Sequence, residues 1–136
     1  EEGTWTPALF GSSTAGSYSA SSATGTYVKI GRFVQGHFSV QAGTLSGFSG
    51  FVRVGGFPFT AQSGGGGYLT YIEGQSFTFT SSTNNTTVFL EGSSSSANYN
   101  IRPQHAGTNY DKFVIGLTDG SIDGYFRGQI QMMTTA

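Results

Sequence analysis

The sequence predicts an all-β protein, a β-sandwich or jelly-roll-like fold of about nine antiparallel strands. Three observations predict it. Apolar spacing of three and four residues is nowhere sustained over ~11 positions. Glycine, 22 of the 136 residues, interrupts nearly every window of that length, and each glycine inside a helix costs roughly 1 kcal/mol. Short runs rich in β-branched and aromatic residues recur instead, punctuated by Gly, Ser, Asn and Asp. Only 10% of residues are charged while 15% are aromatic, which separates the chain from Gly/Ser-rich disordered sequences, because those lack aromatics and carry more charge.

Strands are expected in order at 4–9, 25–30, 33–42, 51–54, 68–72, 76–80, 86–91, 113–117 and 125–133. The first holds the sole tryptophan, Trp5, two residues before Pro7, and a first or edge strand tolerates that proline. Trp5 is expected to pack at the base of the domain. The second and third strands form a hairpin in GTYVKIGRFVQGHFSV, residues 25–40. With Gly31-Arg32 as a two-residue turn whose first central residue is glycine, Ile30 pairs with Phe33. Val28, Ile30, Phe33, Gln35 and His37 then share one face, and Tyr27, Lys29, Val34, Phe38 and Val40 the other. Neither face is polar throughout, so the hairpin is expected either to lie between two layers of its own domain or to bury one face against another chain.

Loops are expected at 11–25, 62–67, 81–85, 92–100 and 118–124. Asn84-Asn85 suits a tight turn. The four glycines 64–67 fit either a mobile tip or a close approach of backbones from separate chains.

A chain of 136 residues is read as a single domain, able to bury about two-thirds of the surface its unfolded form exposes. With no cysteine, disulfides and thiolate metal sites are excluded. Six basic and seven acidic residues leave a net charge of −1, with no basic run to engage nucleic acid. No apolar run approaches the length of about 20 residues that membrane insertion as a helix needs. The opening EEGTWTP lacks an initiator Met, so the chain is expected to be a piece of a longer protein.

No enzyme activity, catalytic residue, metal or cofactor is expected. Asp119 and Asp123 are a close carboxylate pair, but each precedes glycine and reads as a turn former. His37 and His105 have no Cys, Asp or Glu at ligand spacing. No nucleophile elbow and no phosphate loop are present.

Three ordered motifs remain: GTWTPALFGSSTAG at 3–16, GTYVKIGRFV at 25–34 and SGFVRVGGFPF at 49–59. In this order they resemble the C-terminal regions of bacteriophage tail fibres and tailspikes, over roughly the first 60 residues. The resemblance implies a jelly-roll-like sandwich, homotrimeric about a three-fold axis. It places the domain at the distal, host-facing tip of the virion's fibre, where it trimerises and caps the fibre and in some members binds host-surface glycans. On that footing Val28, Ile30, Phe33, Phe48, Phe51 and Phe57 are candidate subunit-interface residues.

The segment 97–111, ANYNIRPQHAGTNYD, gathers Tyr99, Asn100, Arg102, Gln104, His105, Asn109 and Tyr110. Aromatic rings to stack on the C–H face of a sugar, with amides and a guanidinium for its hydroxyls, make these the candidate carbohydrate-binding residues, exposed on a loop. A polar loop clamped between subunits would use the same residues.

Overall fold

Alternation with a period of two, one residue inward and the next outward, organises the described residues into nine antiparallel strands and one curled sheet. A computed structural model of the protein describes residues 1–73, 87–104 and 124–135. The strands are β1 (Glu2–Trp5), β2 (Ala8–Gly11), β3 (Ser17–Ile30), β4 (Phe33–Ser46), β5 (Val52–Gly55), β6 (Gly65–Glu73), β7 (Thr87–Gly92), β8 (Tyr99–Gln104) and β9 (Gly124–Met133). Their order in the sheet is β1-β3-β4-β9-β6-β7-β8-β5-β2, every neighbouring pair antiparallel. No helix occurs among the described residues.

The two ends of that order, β1 and β2, are separated in sequence only by Thr6 and Pro7. They are halves of one expected strand. Pro7 has no N–H to continue the ladder, and after it the chain leaves β3 and joins β5. A sheet whose first and last strands lie two residues apart must curl. Across the seam the Tyr18 hydroxyl accepts a hydrogen bond from the Leu9 N–H at 3.1 Å, so a side chain from β3 satisfies a donor on β2.

Inward positions from seven of the strands supply one core: Trp5, Leu9, Val34, Phe38, Val40, Ala42, Val52, Val54, Leu90, Tyr99, Ile101, Phe126, Ile130 and Met132, with Phe57 and Ala61 from a connection. The three sequence motifs converge there. Trp5 of the first meets Phe38 and, at 5.0 Å between ring centroids, Phe57 of the third. Gly25 of the second lies under the Trp5 indole so closely that a Cβ would collide with it. Tyr27 and Phe59 pack edge to face at 4.9 Å. Such aromatic pairs add about 0.5–1.5 kcal/mol each beyond their buried area.

Several boundaries differ from expectation. β3 begins eight residues early, at Ser17, inside the expected 11–25 loop, because its hydroxyl-rich half pairs with β4 through two irregularities in register. β6 takes in Gly65–Gly67. The close approach of backbones there is within this chain: a Cβ on Gly67 would collide with the Gln129 carbonyl of β9. β8 occupies Tyr99–Gln104, part of the expected 97–111 loop. The strands expected at 76–80 and 113–117, the Asn84-Asn85 turn and the Asp119/Asp123 segment lie outside the described residues.

Candidate functional site

The β3–β4 hairpin positions the site. Gly31 has φ +60°, a left-handed value that glycine adopts without Cβ strain, and Ile30 pairs with Phe33. That register sets every side chain of the hairpin. Val34, Phe38 and Val40 face the core, and Val28, Ile30, Phe33, Gln35 and His37 face outward.

On the outer face the register aligns side chains across adjacent strands. Ile30 of β3, Phe33 of β4 and Met133 of β9 form one row, 73%, 40% and 45% exposed, and Val28 beside them is 45% exposed. These four, with Tyr68, are the exposed large hydrophobics among the described residues. Both ends of the described chain are tied here: the Glu1 ammonium donates to the Lys29 carbonyl at 3.0 Å and the Thr134 N–H to the Arg32 carbonyl at 2.9 Å.

Four residues further along the hairpin a second row crosses six strands: Thr26, His37, Gln129, Tyr68, Phe89 and Arg102. The Gln129 Oε1 accepts hydrogen bonds from the Tyr68 hydroxyl at 3.1 Å and from Gln35 Nε2 at 3.4 Å. That pairing holds the Gln129 amide and the half-exposed Tyr68 ring in place. Thr24, Thr26, His37 and Ser39 line a shallow open depression of about 190 Å³ beside this row. The hydroxyl, amide, imidazole and phenol groups here can both donate and accept hydrogen bonds, as a hydroxyl-bearing ligand requires.

The expected carbohydrate-binding segment is divided by the strand it forms. Tyr99 is wholly buried, packed against Phe57 at 6.3 Å, and cannot stack on a sugar. This corrects the expected exposed platform: in β8, Tyr99 takes the inward phase and Asn100 and Arg102 the outward one. Asn100 Oδ1 accepts from Arg53 Nε at 2.7 Å. Arg102 pairs with Glu91 and lies over the Phe51 ring at 5.0 Å. Gln104 ends β8, and His105, Asn109 and Tyr110 lie outside the described residues.

Among the expected interface residues, Val28, Ile30 and Phe33 come together on the surface. Phe57 does not. It is 3% exposed, held in the core by Trp5, Phe59 and Tyr99, and that is the physical reason it cannot meet a neighbouring chain. Phe48 is half-buried against Tyr18, and Phe51 is half-buried under Arg102. Met133 was missed, although the alternation Ile130-inward, Met132-inward along β9 places it outward. Tyr68, like Tyr18, is already a weaker glycan-contact candidate in the sequence, whereas Gln129 was legible only once β6 and β9 were known to be neighbours.

Two phenols are perturbed. Burial pushes Tyr99 up to about 12, and the hydrogen bond that Tyr27 donates to the Glu1 carboxylate at 3.0 Å raises Tyr27 above its ordinary value. Among the described residues no cluster of His, Asp and Glu has the makings of a metal site. No protein-family model, curated protein or solved structure matches the chain.

Proposed function

We propose that the protein is a structural self-association domain, the C-terminal trimerisation and capping domain at the host-facing tip of a bacteriophage tail fibre or tailspike, with its curled sheet flattened into a jelly-roll-like sandwich. The observation that carries the reading is the outward row of Ile30, Phe33 and Met133 with Val28 beside it. Four large apolar side chains contiguous across three strands form the kind of exposed patch that marks an interaction surface. A chain with 10% charged residues places few charges in the way of burying it, and charge is what interface centres lack.

Three-fold closure rests on the resemblance of the three motifs to tail fibres. A ring of heterologous contacts leaves no copy of the patch uncovered. The reading involves no catalytic step and no cofactor. Light scattering with sedimentation at micromolar concentration tests it: a trimer is expected, and Ile30→Asp with Phe33→Asp should yield a folded monomer, since a charge buried unpaired in a dry interface is strongly unfavourable. A folded wild-type monomer would defeat the reading.

A carbohydrate-binding role is the second reading, and the row of Thr26, His37, Gln129 and Tyr68 favours it over the 97–111 segment. Binding on a glycan array that Tyr68→Ala abolishes, with the trimer intact, is the expected result. Binding unaffected by Tyr68→Ala would remove the row from consideration.

A further inference from the structure

We propose that Met133 is an oxidation site that switches the self-association face off, an inference that rests on the self-association reading above. The chain has two methionines, adjacent in sequence and opposite in phase. Met132 is 4% exposed in the core, and Met133 is 45% exposed in register with Phe33, which is itself in register with Ile30. The backbone holds this phase from both sides. Met133 pairs with Phe33 of β4, and its carbonyl accepts a hydrogen bond from the Gln62 N–H at 2.7 Å. Turning Met133 inward would break both and expel Met132 from the core.

A thioether in that position is soft, apolar and accessible. Hydrogen peroxide transfers one oxygen atom to its sulfur: the O–O bond breaks, an S–O bond forms, the sulfur loses two electrons and the peroxide leaves as water. The sulfoxide is polar and chiral. Ile30 and Phe33 offer it no hydrogen-bond donor, and the nearby Arg32 Nε already donates to the Thr134 carbonyl at 3.0 Å, so the sulfoxide would lose hydration on association without full replacement. Met132, shielded by the core, stays a thioether and serves as an internal control. Association in turn covers Met133 and slows its oxidation, so the switch acts on the dissociated chain.

The experiment treats the 136-residue chain with hydrogen peroxide at a dilution where it is dissociated. Peptide mass spectrometry locates the added oxygen, and light scattering then reads association on reconcentration. Selective oxygen addition at Met133 is expected, with association weakened by about tenfold or more and restored by methionine sulfoxide reductase. Met133→Leu should associate as the untreated protein does and ignore peroxide. Should that variant misfold, the reductase rescue still decides the matter. Equal oxidation of Met132, or a Met133 sulfoxide that associates like the untreated chain, would overturn the proposal while leaving self-association standing. An untreated chain that stays monomeric at every concentration defeats self-association itself.

Discussion

At the scale of single residues, the most consequential side chain is Tyr99, because it was expected outside and is wholly inside. Its hydroxyl finds no hydrogen-bond partner among the described residues, and an unsatisfied buried hydroxyl costs roughly 1–3 kcal/mol. Tyr99→Phe is therefore expected to leave stability at neutral pH unchanged or to raise it, as urea unfolding would show; a loss above about 1 kcal/mol would mean the hydroxyl has a partner after all. The folded phenol keeps its proton to about 12, whereas the unfolded one loses it near 10. The contribution is thus whole below about pH 10 and disappears as pH rises toward 12, amounting to about 2–3 kcal/mol. Urea midpoints measured across that range should fall in the wild type and fall less in Tyr99→Phe.

At the scale of elements, the first strand decides how the sheet ends. Residues 4–9 read as one strand, and Pro7 divides it so that β1 serves β3 and β2 serves β5. The seam this leaves is bridged by Leu9 N–H to Tyr18 hydroxyl. Tyr18→Phe removes the acceptor and keeps the ring against Phe48. The expected cost is about 1 kcal/mol, with faster hydrogen exchange at the Leu9 amide and little change at the Val34 and Val40 amides of β4. Unchanged exchange at Leu9 would show that the seam is held by something else. The outer rows belong to this scale too, since a one-residue slip of β4 against β9 would bury His37 and expose Phe38.

At the scale of the whole molecule, the proposal concerns what lies against the outer face. Association through an apolar row makes stability depend on protomer concentration, so the melting temperature is expected to rise with concentration in the wild type and not in Ile30→Asp. The four apolar side chains carry no charge, and Glu2 and Arg32 stand only at the edge of the patch, so sodium chloride should change association modestly while sulfate strengthens it. Dissociation by moderate sodium chloride would point to ion pairs instead and count against the apolar row.

Local order in the sequence was sufficient for what depends on local order. The period-two alternation of 33–42, the glycine at position 31 and the β-branched and aromatic runs determined the all-β class, the Gly31-Arg32 turn, the pairing of Ile30 with Phe33 and the phase that puts Val28, Ile30 and Phe33 on one face, because turn geometry and pleat act between residues close in the chain. The same reasoning went astray at Tyr99 and Phe57, whose neighbours in sequence are polar or turn-forming and which in space pack on each other, Phe57 also against Trp5. Burial there is a property of the curled sheet. Strand order was likewise beyond a local reading: only the pairing of β9 with both β4 and β6 brings Met133 beside Phe33 and Tyr68 beside Gln129, since contacts between residues some sixty to a hundred positions apart depend on how all nine strands pack around one core.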